Sequence, residues 1–261
     1  MTLIEAIILG LVQGLTEFLP VSSSGHLVIF QEILGLNQPG VTLEVLLHFA
    51  TLLSVLFVFR KDFTNLLKFR SDKKAGHYLA MLVVGVFATG IIYLVFNNFV
   101  DRLFQSTLLV GFMLLVTGVI LQLTRIVPGG RKNKGEIKPK DAVWVGILQA
   151  VAIIPGISRS GSTILASLWR GLNRETAVKF SFMLAAPIIL AGTLLEIRQM
   201  VSVGIEQEML INYLVGGLAA FLAGIFAIRV FIKLLSGQKL HYFSYYCWAA
   251  GLVVIIFSLL N

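Results

Sequence analysis

The sequence predicts an all-α polytopic membrane protein, and three observations carry that expectation. Of the 261 residues, 57% are hydrophobic and only 13% are charged, whereas a soluble globular chain carries roughly a quarter charged. The mean hydropathy is +0.90. The apolar residues fall in long runs rather than alternating with period two, which favours membrane helices over an outer-membrane barrel. Met1 is followed by neither a basic stretch nor a small-residue cleavage site, so no signal peptide is expected. The single cysteine, Cys247, lies in an apolar run, which leaves no disulfide framework and no CxxC metal or redox site.

Along the chain, residues 1–19 and 26–36 are apolar arms around the break Pro20-Val21-Ser22-Ser23-Ser24-Gly25. Short arms flanking a Pro/Gly/Ser break predict a re-entrant helix–loop–helix, although residues 1–19 are long enough to span alone. Glu5 follows Thr2 by three positions, the spacing of a capping box. Three runs near the length of about 20 residues that crosses a bilayer come next, at 42–59, 77–99 and 106–127. A second broken pair, 142–154 and 163–172, flanks Pro155-Gly156-Ile157-Ser158-Arg159-Ser160-Gly161, and neither arm can span. Spans at 176–195, 210–232 and 243–260 complete the chain. Gly90, Gly111, Gly118, Gly216, Gly217 and Gly224 are expected to let these helices approach closely.

An internal repeat organises these elements. Ala6, Gly10, Gln13 and Ser22-Ser23-Ser24-Gly25 recur 136 positions later as Ala142, Gly146, Gln149 and Ser158-Arg159-Ser160-Gly161. Each half then consists of one broken hairpin and three spans, and an odd number of spans turns the second half upside down. The expectation is one membrane domain, 1–261, with six transmembrane helices plus two re-entrant hairpins in an inverted repeat. Its halves are 1–127 (hairpin 1–36) and 141–261 (hairpin 142–172). Loops 60–74, 125–140, 170–179 and 229–239 fall on one side and hold 18 of the 21 Lys and Arg. That asymmetry makes their side cytoplasmic and turns the first hairpin outward. It also accounts for the net charge of +8 without a nucleic-acid partner.

Ionisable groups at membrane depth cost about 3 kcal/mol each on insertion scales, so each needs a reason. They are Glu17, His26, Glu44, His48 and Arg159. Gln13 and Glu17, four apart, share a helix face, and Thr16 precedes Glu17. Pro20 ends that helix, and Ser22, Ser23, Ser24 and Gly25 suit the N-terminus of the next, where free N–H groups and the dipole favour an anion. Ser158, Ser160 and Gly161 repeat the device, with Arg159 as a bidentate donor. Two such ends meeting at the centre of an inverted repeat would enclose one phosphate. Glu44, His48 and Thr51 line one face of the first span, either beside that site or in an interhelical hydrogen bond. No GxxxxGK[ST] is present, so an ATP-driven pump is not indicated. From these residues alone, a phosphate-processing enzyme and an inverted-repeat carrier or flippase for a lipid phosphate or other anion fit equally well.

The run Gln13-Gly14-Leu15-Thr16-Glu17-Phe18-Leu19-Pro20-Val21-Ser22-Ser23-Ser24-Gly25-His26 and the run Pro155-Gly156-Ile157-Ser158-Arg159-Ser160-Gly161 resemble the two signature regions of the bacterial undecaprenyl-diphosphate phosphatases of the bacitracin-resistance type. The likeness extends to Glu44-Val45-Leu46-Leu47-His48 and to overall length. It implies hydrolysis of undecaprenyl diphosphate at the outer face of the bacterial cytoplasmic membrane. That reaction recycles the cell-wall lipid carrier and confers bacitracin resistance. It also implies a divalent cation, Mg²⁺ or Ca²⁺, a polyprenyl diphosphate and the bilayer as partners, with a homodimer left open. By motif position Glu17, Ser23, His26 and Arg159 are the functional residues. Gln13, a neutral residue four before Glu17, speaks against a two-carboxylate metal site at that spacing. On this resemblance Ser23 or water attacks phosphorus, His26 relays protons to the serine, and Glu17 orients His26 or binds the metal. The type-2 phosphatidic-acid phosphatases offer a weaker likeness through Ser24-Gly25-His26 and Ser158-Arg159. Their nucleophilic histidine would fall at Leu165, so that route lacks its nucleophile.

Overall fold

The computed structural model describes residues 1–36, 41–103, 106–127, 129–203, 209–235 and 239–260. Among them it is all-helical apart from turns and an isolated bridge between Lys132 and Leu172. Helix α1 (Leu3–Phe18) opens on the expected capping box: the Glu5 amide donates to the Thr2 hydroxyl and the Thr2 amide to the Glu5 carboxylate. It stops just before Leu19 and Pro20, which has no amide hydrogen to continue the ladder. Then come α2 (Ser23–Ile33), α3 (Val41–Val58), α4 (Arg60–Leu66), α5 (Lys73–Leu103) and α6 (Thr107–Ile126). The second half contributes α7 (Pro139–Val151), α8 (Arg159–Trp169), α9 (Arg174–Val203), α10 (Leu210–Leu235) and α11 (Tyr242–Leu260).

Among the described residues five helices are long and apolar enough to cross a membrane: Lys73–Phe96, Thr107–Ile126, Arg174–Leu195, Leu210–Leu234 and Tyr242–Leu260. The expected span at 42–59 coincides with α3, whose apolar stretch Val45–Val58 is shorter. Both breaks are narrower than the sequence predicts. Ser22 and Ser158 are N-caps, so Ser23, Ser24, Gly25 and Arg159, Ser160, Gly161 form the first turns of α2 and α8. A polar first turn reads as loop in a hydropathy profile, yet its hydrogen-bond needs are met by the cap. The basic segment after α3 likewise contains the short helix α4.

Helix α1 packs on α10 and α7 on α5, while α6 and α11 pack on each other. Both hairpin contacts use the same glycine of the repeat. A Cβ on Gly10 would stand 2.2 Å from the Gly216 carbonyl oxygen, and one on Gly146 2.4 Å from that of Gly85. Gly111, Gly118, Gly216 and Gly224 are also close-approach positions, as expected. Gly90 and Gly217 are not: a Cβ at either would meet open space or ordinary contact, because their helix faces turn away from a neighbour. At the core, Phe182 packs on Phe18, Phe59 and Phe231. Large apolar side chains such as Phe87, Ile91 and Leu94 point outward, as a lipid-facing surface requires.

On the basic side, Asp141 is fully buried and clamps two loops. It accepts from Lys132 Nζ at 3.0 Å, Arg170 Nε at 2.8 Å and the Lys138 amide at 3.0 Å. Burial alone would raise the Asp141 carboxyl, but these donors hold it below the usual carboxylate range. A lowered folded-state pKa gives stability that is present above the ordinary pKa and lost as pH falls through the folded one. Thermal unfolding in detergent is therefore expected to show a midpoint that drops on acidification below about pH 4. Asp141→Asn should melt lower at pH 7, by on the order of 2 kcal/mol, and lose that acid-dependent component.

Candidate functional site

The two breaks meet. Backbone at Gly25 lies so near Gly156 that a Cβ on Gly25 would stand 3.1 Å from its Cα. The Ser160 hydroxyl donates to the Leu19 carbonyl at 3.3 Å, tying the second tip to the first. The caps are built alike: Ser22 Oγ accepts from the Gly25 amide and Ser158 Oγ from the Gly161 amide. Ser22 Oγ lies 3.4 Å from Ser24 Oγ, and Ser158 Oγ 3.3 Å from Ser160 Oγ. Thr117 of α6 holds the second tip, donating to the Gly156 carbonyl and accepting from the Ser158 amide. Gly161 packs under Leu121.

At the junction sits Glu17, 7% exposed on the last turn of α1. One carboxylate oxygen pairs with Arg159 Nη2. The other accepts from Ser23 Oγ at 2.5 Å and from Gln13 Nε2 at 3.1 Å. Pairing and hydrogen bonding offset the cost of burying both charges. His48 of α3 stands within electrostatic reach of Glu17. The side chain of Glu44 lies outside the described residues. Thr16 turns its hydroxyl back onto the Val12 carbonyl, within its own helix.

The serine's partner differs from expectation. Ser23 donates to Glu17, whereas His26 turns to other groups: its Nδ1 lies 2.7 Å from the Ser22 carbonyl and its Nε2 2.7 Å from the Tyr246 hydroxyl. The reason is the turn. Ser22 adopts φ +70°, the left-handed region that non-glycine residues seldom enter. That turn folds the start of α2 back against the end of α1, so Ser23 Oγ reaches across to Glu17. Strain of this kind costs roughly 1–3 kcal/mol and is characteristic of functional sites.

Two donor or acceptor atoms at the junction are left over. Arg159 Nη1 and Gln13 Oε1 are buried with no hydrogen-bond partner. A groove of about 270 Å³ runs between α1 and α2, along the face of α1 turned away from Gln13 and Glu17. Ile8, Leu11, Val12, Leu15 and Phe30 make its walls, and Thr16, His26 and Tyr246 its polar groups. An apolar groove carrying a few polar groups is suited to a lipid chain. Among the described residues no group of three His, Cys, Asp or Glu side chains gathers to hold a metal ion. The donors that fit a cation are hard oxygens, Gln13 Oε1 and the Glu17 carboxylate, which suits an ion held largely by substrate phosphates.

Tyr246 and Thr117 are the neighbours that sequence reasoning missed. Tyr246 lies in an aromatic run at the start of a span, which reads as an interfacial belt, and Thr117 in the apolar middle of α6.

Residues 6–253 match the family model described as bacitracin resistance protein BacA. The undecaprenyl-diphosphatase of Halothermothrix orenii is 45% identical over 259 residues, 99% of each chain. That of Alkaliphilus metalliredigens is 44% identical over the whole of both chains, and that of Carboxydothermus hydrogenoformans 42% over 97% of this chain and 96% of its own. The chain belongs to the bacitracin resistance protein BacA family.

Proposed function

We propose that this chain is an integral-membrane undecaprenyl-diphosphatase. It releases inorganic phosphate from undecaprenyl diphosphate, returns the lipid monophosphate to cell-wall synthesis and thereby confers resistance to bacitracin. Its relatives carry that activity in their names over essentially the full length. The observation that carries the chemistry is the unpaired, buried Arg159 Nη1 beside a serine hydrogen-bonded to a carboxylate.

The substrate's tail lies along the α1–α2 groove and its diphosphate meets Arg159 and the capped starts of α2 and α8. Ser23 Oγ attacks the terminal phosphorus, its proton passes to Glu17, and the bond to the bridging oxygen breaks, releasing the lipid monophosphate. Water then hydrolyses the phosphoserine, restoring the serine. Arg159 stabilises charge on the phosphoryl oxygens throughout. A divalent cation, Mg²⁺ or Ca²⁺, would be held by Gln13 Oε1 and Glu17 and would neutralise the diphosphate's charge.

The six-span inverted repeat belongs to the same proposal. Supporting it, α7 and α8 begin 136 residues after α1 and α2, and the α1–α10 contact corresponds to the α7–α5 contact. The basic loops then face the cytoplasm of a bacterial inner membrane, and the first hairpin opens outward. Every named group of the site comes from a single copy of the chain.

The test is phosphate release from undecaprenyl diphosphate by purified protein in detergent, with and without EDTA. Release that chelation suppresses and excess Mg²⁺ or Ca²⁺ restores is expected. A folded protein that binds the lipid diphosphate without releasing phosphate would instead be a carrier.

A further inference from the structure

His26 is held at both ring nitrogens by groups far apart in sequence. The Ser22 carbonyl can only accept a hydrogen bond, so the Nδ1 that lies 2.7 Å from it carries the proton. In the neutral imidazole Nε2 is then a bare lone pair, and the Tyr246 hydroxyl, 2.7 Å away, donates to it. The two rings also stack, with centroids 5.6 Å apart and planes 10° from parallel. Their burial differs. His26 is 4% exposed, whereas Tyr246 is 49% exposed and forms part of the groove wall. A tyrosine that merely satisfied a core histidine would be expected to be buried with it. This one lies half-exposed at the groove proposed for the substrate.

We propose that Tyr246 is a positioning residue for the phosphatase reaction, an inference that rests on the function proposed above. With the strained Ser22 carbonyl it fixes His26 as a single tautomer, Nδ1–H, and turns the basic nitrogen toward the groove. His26 then presents that nitrogen to the substrate side through the Tyr246 hydroxyl, while Ser23 and Glu17 form the separate pair that acts at phosphorus. Tyr246 comes from the last helix of the chain, so α11 has a part in the site although neither signature run lies on it.

Tyr246→Phe keeps the ring and its stacking and removes only the hydroxyl. Turnover of undecaprenyl diphosphate is expected to fall about 10- to 100-fold, less than the roughly 10²–10⁴ that outright loss of a well-placed acid or base costs. The loss should fall on kcat rather than KM, with an unchanged melting temperature. In a His26→Ala background the same substitution should cost nothing further, because no imidazole remains to be positioned. A second readout needs no turnover. Nitrogen-15 NMR of histidine-labelled protein in detergent resolves only four histidines, and the His26 signal is identified by its absence in His26→Ala. Wild type should show one protonated and one bare nitrogen, and Tyr246→Phe a mixture of tautomers. The proposal is overturned by an unchanged His26 spectrum in Tyr246→Phe, or by an equal activity loss with and without His26. Should wild type release no phosphate, the phosphatase reading fails, while the spectra still decide whether Tyr246 holds His26.

Discussion

Arg159→Ala is expected to lower turnover of undecaprenyl diphosphate by three orders of magnitude or more, and to melt at a lower temperature than wild type. Removing an arginine that stabilises a transferring phosphoryl group typically costs about 10³–10⁵ in rate. Here the guanidinium has one nitrogen on Glu17 and another with no partner in the protein. The first holds the site together, and the second is what remains for substrate. Losing the pair leaves a buried carboxylate with only Gln13 and Ser23 as donors, a defect worth roughly 3–5 kcal/mol. The two consequences can be separated. Adding Glu17→Gln to Arg159→Ala removes the unpaired charge and should recover much of the melting temperature, while activity stays lost. Arg159→Lys keeps a positive charge but cannot bond the carboxylate and a phosphate in the same plane, so it should recover stability better than rate. Phosphate release and thermal melting, measured on the same four proteins, check both halves. A double variant as unstable as Arg159→Ala would mean that the ion pair is not what the arginine contributes to the fold.

The features that reached the sequence are those with a local signature. The Pro20–Gly25 and Pro155–Gly161 breaks were legible because proline and serine at a helix boundary act within a few residues. The 136-residue offset was legible because Gly10 and Gly146 meet the same demand, a backbone carbonyl against the α-carbon, in both halves. What the sequence could not show is the direction of side chains across a turn. Three residues apart on one helix, Ser23 and His26 read as partners. One residue, Ser22 at φ +70°, sends Ser23 to Glu17 instead. Arg159 was legible as an ionisable group needing a reason, but its partner 142 residues away was not. Tyr246 was wholly hidden, since a tyrosine near the end of a span is ordinary and its histidine lies 220 residues off.

Ser23→Ala should be the most damaging substitution that leaves the fold intact. Ser23 is only partly buried, and its loss removes a single hydrogen bond to a carboxylate that keeps Arg159 and Gln13. The melting temperature should therefore stay near that of wild type. Turnover should fall by on the order of 10⁴ or more, since a nucleophile and its base act as a unit. Glu17→Gln should cost about 10²–10⁴ by the same reasoning, as the loss of a positioned base. Decisive is the double variant: with no hydroxyl to deprotonate, Ser23→Ala with Glu17→Gln should be no slower than Ser23→Ala alone. Wild type quenched in acid during turnover of substrate labelled in its terminal phosphate should carry label on Ser23. An unlabelled serine, together with a Ser23→Ala loss of only 10- to 100-fold that grows when Glu17 is also changed, would make water the nucleophile. Glu17 would then be its base and Ser23 a phosphate ligand. The 2.5 Å contact permits either assignment of the attacking oxygen, but not both patterns of non-additivity.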